Sequence, residues 1–160
     1  MAENTHPAQF LELTREMEIA APAGRVWELA SDFAGIGQWV AVIATVDIVK
    51  GGNNAPGTQR HIVIQGGGTI DEELLAWDAG QRHYRYRIIK SVLPVSEYTS
   101  DFRIAASGAD RCTVTWSGRF KRADTGPNPS PRADDAAAQK AIAGVYDGGL
   151  AGLKQLAEGS

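Results

Sequence analysis

Six residues of this chain have types and spacings that could do chemistry: Glu72, His61, Tyr84, Tyr86, Tyr98 and Ser100. In "TIDEELLAWD" the carboxylate of Glu72 alternates with Leu74 and Ala76, so it shares their apolar side. His61 alternates with Val63 in "TQRHIVIQ", and Tyr84 and Tyr86 share one side of "RHYRYRIIK". Tyr98 and Ser100 fall in line with Phe102 and Ile104; Trp116 falls in line with Cys112, Val114 and Phe120. A carboxyl group set among apolar side chains is how a general acid is made. Tyrosines can hydrogen-bond a carbonyl or stabilise an enolate. The set suits aldol cyclisation, dehydration or isomerisation of a ketonic substrate, with Glu72 as acid-base and Tyr98 or His61 as carbonyl partner.

Each residue also has a plainer reading. Tyr84, Tyr86 and Trp116 serve equally well as core aromatics with a satisfied polar tip. Glu72 is flanked by Asp71 and Glu73, and a one-residue slip in register would turn it to solvent. His61, beside Arg60, fits a structural or exposed histidine. Ser100 has no histidine in a recognisable motif, which leaves a nucleophilic triad unsupported. "QGGGTI" lacks the Lys-Ser/Thr of a phosphate loop and reads as a hairpin connection. Three widely spaced histidines (His6, His61, His83) and one cysteine make no metal site, and no cofactor motif is present.

These residues need strands to hold them. "FLELTREMEI" alternates from the outset, with Arg15 breaking the apolar row as an edge strand would. "APAGRVWELASDF" switches to helical spacing, with Pro22 near its first turn and Asp32 as N-cap of a second short helix. From Val42 to Arg122 six alternating runs are joined by short turn-rich connections, the pattern of an antiparallel sheet with one polar face. A Pro-rich break follows, and Pro131 is expected to open a long final helix.

Size and charge bound the rest. A chain of 160 residues with 43% hydrophobic content reads as a single domain, 1–160. The net charge of −3 with scattered basic residues argues against a nucleic-acid surface. Cys112 is the only cysteine, "MAENTHPAQF" lacks the marks of a signal peptide, and no apolar run is long enough for a membrane span. The expectation is a cytoplasmic domain whose oligomeric state is unknown.

The order strand, two short helices, six strands, long helix, with "PAGRVWELASDFAGIGQWV" near its start, resembles the START and birch-pollen-allergen superfamily (SRPBCC) and its polyketide cyclase/dehydratase-like branch. Pro22, the Val26-Trp27 pair, Asp32-Phe33 and Trp39 carry the likeness, with "LPVSEYTSDFRI" and "TVTWSGRF" further on. The resemblance implies an α+β helix-grip fold: a seven-stranded curved antiparallel sheet wrapped around the C-terminal helix, enclosing an apolar cavity. Combined with the alternation, it turns Trp39, His61, Val63, Glu72, Tyr84, Tyr86, Tyr98, Ser100 and Trp116 inward as ligand-binding residues. The sheet and final helix are also similar to plant abscisic-acid receptors. The inward lysine of those receptors, which pairs a carboxylate, is matched here by Val40, and "GGGT" and "SVLP" replace their gate and latch. The implied partner is therefore a small hydrophobic or aromatic, largely neutral molecule, lipids included, rather than a carboxylate hormone.

One more feature bears on the cavity. "AGVYDGGLAGLKQL" has helical spacing yet holds four glycines, which cost about 3–4 kcal/mol of helix propensity in total. Gly148 and Gly152 are expected to border the cavity, and Gly149, within the apolar stripe, to allow close packing.

Overall fold

The computed structural model describes residues 7–159. His6 and most of the N-terminal stretch read above for a signal peptide lie outside them. Strand β1 (Leu11–Ile19) leads into helix α1 (Ala23–Ala30) and a short 3-10 helix (Phe33–Gln38). Six strands follow: β2 (Ile43–Lys50), β3 (Gln59–Ile64), β4 (Thr69–Asp78), β5 (His83–Ser91), β6 (Val95–Gly108) and β7 (Arg111–Arg122). Helix α2 (Asp135–Glu158) closes the chain. The strands form one antiparallel sheet in the order β1-β7-β6-β5-β4-β3-β2, so β1 and β2 are its edges. Register shifts in β4 and β6 mark bulges, which bend and twist a sheet.

The buried core fills the space between the inner sheet face and the helices. Phe102, Val114, Trp116 and Phe120 come from the sheet, Val26 and Ala30 from α1, and Ile142, Tyr146, Leu150 and Leu153 from α2. Polar contacts fix α2 along its whole length. Buried Arg122 donates to the carbonyls of Asp124 and Gly126 and to Asp135 at the helix start. Arg15, the residue that breaks the apolar row of β1, reaches Asp147 at 2.9 Å. Near the C-terminal end, Lys154 donates to the Glu18 carbonyl and Glu158 accepts from the Ala20 amide.

Asp32 stands at the N-cap position of the 3-10 helix as expected, without the side-chain bond of a cap, and the expected helix opening at Pro131 is corrected. The Asp32 carboxylate instead accepts from Asn53 Nδ2 at 2.7 Å. The amides at the start of the 3-10 helix are met from the β2–β3 loop: Phe33 N–H by Asn54 and Ala34 N–H by Asn53. Pro131 does not open α2, which begins four residues later with Asp134 accepting from the Ala137 amide. Among the described residues no helix is long and apolar enough to cross a membrane.

Candidate functional site

A cavity of about 450 Å³ lies between the inner face of the sheet and the middle of α2. That is within the roughly 300–1,000 Å³ of small-molecule sites. Ile62 and Ile64 of β3, Ile70 of β4, Leu93 of the β5–β6 connection and Ile36, Val40 and Ile43 form most of the wall. Ala141, Gly144, Val145, Gly148 and Gly149 present α2 to it. Among the described residues, polar or aromatic side chains reach the wall only through Glu72, Tyr86 and Trp116.

Glu72 faces inward because Arg60 does. The two residues pair directly across β3 and β4. Both are buried, at 1% exposure for Arg60 and 6% for Glu72. Arg60 Nε and Nη2 both donate to Glu72 Oε1, at 2.8 and 2.5 Å. Nη1 donates to the Phe33 carbonyl at 2.6 Å, and the guanidinium lies 3.7 Å from the Phe33 ring centroid. A buried charge is tolerated only when paired and hydrogen-bonded, and this pair satisfies both conditions.

From the wall residues Tyr86 and Trp116 a second polar cluster runs into the core. Tyr86 OH contacts Tyr98 OH at 3.0 Å, Tyr98 OH contacts Tyr146 OH at 2.5 Å, and Tyr146 OH contacts Ser100 Oγ at 2.9 Å. Ser100 Oγ donates to the Ser117 carbonyl at 2.8 Å. Trp116 Nε1 donates to Ser100 Oγ and to Tyr86 OH, at 3.0 and 3.2 Å. Each hydroxyl has one proton, so that last carbonyl sets the direction of the whole chain. Ser100 gives its proton to Ser117, Tyr146 to Ser100, Tyr98 to Tyr146, and Tyr86 to Tyr98. Burial pushes the phenols of Tyr84, Tyr86, Tyr98 and Tyr146 far above their ordinary range, so all four are neutral. The network closes because β7 carries Gly118, where any Cβ would overlap the Tyr146 hydroxyl.

The structure brings Glu72, Tyr86, Trp116 and Gly148 to the cavity wall. His61 and Val63 are corrected: the inward residues of β3 are Arg60 and Ile62, and His61 faces out, with its Nδ1 2.5 Å from Asp71. The Arg60–Glu72 pair selects that parity. Tyr84 lies behind the wall, stacked on Phe102 with centroids 5.1 Å apart. Tyr98 and Ser100 are buried in the hydroxyl network. Trp39 packs against Phe102, Trp116 and Gly149, and its buried Nε1 has no hydrogen-bond partner among the described residues. Gly152 is corrected as well, since a Cβ there would overlap the Trp39 carbonyl oxygen. Gly149 does pack closely, with Trp116 2.9 Å from the position of a Cβ; at Gly144 and Gly148 nothing lies within 4 Å.

Arg60, Gly118, Gly144 and Tyr146 complete the arrangement and were not among the sequence candidates. Only Tyr146 left a usable signal, since it lies on the apolar stripe of α2. Among the described residues no cluster of His, Cys, Asp and Glu could hold a metal ion.

The fold recurs widely among solved structures. The Bacillus cereus protein XoxI is 27% identical with a TM-score of 0.79, over 91% of this chain and 94% of XoxI. The Zhui aromatase/cyclase from Streptomyces sp. R1128 is 18% identical with a TM-score of 0.72, over 94% of each chain. Norcoclaurine synthase from Thalictrum flavum, solved with dopamine and hydroxybenzaldehyde, is 17% identical with a TM-score of 0.71. It matches over 96% of this chain and 90% of its own. No curated protein matches the sequence. The family model described as polyketide cyclase / dehydrase and lipid transport matches residues 11–158, nearly the whole chain, and this protein belongs to that family.

Proposed function

We propose that the protein binds a small apolar or aromatic molecule, neutral overall, in the cavity between the sheet and α2. One observation carries this reading: the wall is apolar apart from Glu72, whose charge is cancelled by buried Arg60, and Tyr86 and Trp116, whose polar atoms are already engaged in the hydroxyl network. A charged ligand group would meet no compensating charge there, and a hydrocarbon or ring system would meet isoleucine, valine and leucine. The lipid-transport half of the family description is in keeping with this.

A second reading, a cyclase or dehydratase, is favoured by Glu72 alone, the one carboxylate on the wall. Its proposed carbonyl partners do not support it, because His61 faces out and the Tyr98 proton goes to Tyr146. Replacing Glu72 by glutamine does not separate the readings cleanly. Breaking a buried pair from one side costs about 3–5 kcal/mol, so lost turnover would report lost folding.

Filling the cavity from α2 is the better test. N-phenyl-1-naphthylamine, a neutral apolar fluorophore, should bind saturably, one per chain, with enhanced emission. Gly148→Leu, which projects into open space, should fold with native circular dichroism and bind at least roughly tenfold more weakly. Absence of saturable binding to the wild type, or equal binding to the two proteins, would overturn the reading.

A further inference from the structure

We infer that the cavity selects a ligand carrying a neutral hydrogen-bond donor, a hydroxyl in the first instance, which it receives on Glu72 Oε2. The inference rests on the cavity-binding reading above and deepens it. Both Arg60 bonds to the carboxylate fall on Oε1, and among the described residues no hydrogen bond reaches Oε2. Glu72 is a wall residue, so this oxygen is the acceptor available to a bound molecule.

The wall side chains offer no donor in return. Trp116 Nε1 is shared between Ser100 and Tyr86. The Tyr86 proton points along the hydroxyl chain to Tyr98, because Ser100 must donate to the Ser117 carbonyl at the other end. Tyr86 therefore shows the cavity an oxygen and not a proton. Arg60 has Nε and Nη2 on Glu72 and Nη1 on the Phe33 carbonyl, and it is not part of the wall.

Discrimination follows from this polarity. A ketone, ester or ether brings only an acceptor to a wall of acceptors. It strips Oε2 of water and gives nothing back, which is the costly outcome for a buried polar group. A carboxylate adds an uncompensated negative charge beside Glu72. An ammonium group would leave the Arg60–Glu72–ligand set with a net positive charge in an apolar enclosure. A hydroxyl supplies one proton to a charged acceptor without changing the charge balance, the stronger class of hydrogen bond.

Three matched bicyclic probes test this by calorimetric titration: 2-naphthol, 2-methoxynaphthalene and 2-naphthoate. The naphthol should bind at least roughly tenfold more tightly than its methyl ether, and the naphthoate should be the weakest of the three. The double variant Arg60→Met/Glu72→Leu removes the pair as a unit, which avoids stranding one charge. It should still bind the methyl ether and lose the preference for naphthol. Equal or reversed affinities in the wild type, or a preference that survives in the double variant, would overturn the inference. So would failure of all three probes in a protein that binds N-phenyl-1-naphthylamine. Failure of that fluorophore as well would reject the cavity reading itself.

Discussion

Alanine substitutions at three neighbouring glycines of α2 should change stability in different directions, because each faces a different surrounding. In a helix interior, glycine to alanine gains about 0.8–1 kcal/mol when the methyl group has room. At Gly148 nothing lies within 4 Å of the added carbon, so the full gain is expected. For a chain of this size that raises Tm by roughly 2–4 °C. At Gly149 the methyl meets Trp116 at 2.9 Å and Trp39 and Val40 at 3.3 Å. Overpacking of a filled core costs about 1–3 kcal/mol, so after the propensity gain the net loss is about 0–2 kcal/mol. At Gly152 the clash is with the Trp39 carbonyl, a backbone group that cannot turn aside. The loss there should reach or exceed the top of that range. Urea denaturation monitored by tryptophan fluorescence gives the order directly: Gly148→Ala above the wild type, then Gly149→Ala, then Gly152→Ala. A destabilised Gly148→Ala, or a stabilised Gly152→Ala, would refute the assignment of open and closed surroundings along this helix.

Tyr98→Phe removes the acceptor that holds the Tyr86 proton, at a cost of about 1–3 kcal/mol from the partners left unpaired. The freed Tyr86 hydroxyl should then donate into the cavity, and calorimetry should show 2-methoxynaphthalene binding more tightly than to the wild type; an unchanged or weaker affinity contradicts the proposed proton direction. On the outer face, burial alone would raise the Asp101 carboxyl, but hydrogen bonds from Arg85 and His83 outweigh it and hold it below its ordinary 3.8. A lowered folded-state pKa gives stability that is present above the unfolded value and lost as pH falls through the folded one. Stability measured by urea titration should therefore decline below about pH 4, and Asp101→Asn should flatten that decline; an unchanged acid slope would exclude Asp101 as a source.

What the sequence made legible was whatever repeats with a short period. Alternation located β1 and β5–β7 and the face each turns inward, because there one parity is apolar and the other is not. In β3 that signal fails. Ile62, Val63 and Ile64 are apolar in succession, so either parity looks acceptable and His61 could be turned either way. The decision comes from Arg60 meeting Glu72 on the neighbouring strand, a contact no local window contains. Gly152 fails for the same reason. Its helical-wheel position says only that it borders the apolar stripe, and the Trp39 carbonyl that occupies the space comes from the far end of the chain. Asp32 shows a related limit. It has the composition of a cap, yet the amides are taken by Asn53 and Asn54 from a loop that reads as a plain turn.

The residues that most resembled catalytic groups instead account for why the cavity stays open. A helix with poor intrinsic propensity above an apolar hollow should settle into it, since collapse would bury more surface. The hydroxyl network opposes this. Tyr146 is joined to Tyr98 and Ser100 and seated in the gap left by Gly118, so α2 has one rotation and one height at which these buried polar groups are all satisfied. Shifting the helix toward the hollow would break several such bonds at once, each costly to leave unmade. Gly149 and Gly152 bring the backbone onto Trp39, and Gly149 also onto Trp116 of β7, which holds that side of α2 close. With these contacts fixed, Gly144 and Gly148 face the hollow with no side chain to fill it. Two glycines bind the helix close and two leave room beside it. The change from one role to the other falls between Gly148, which has open space beside it, and Gly149, which meets Trp116 and Trp39.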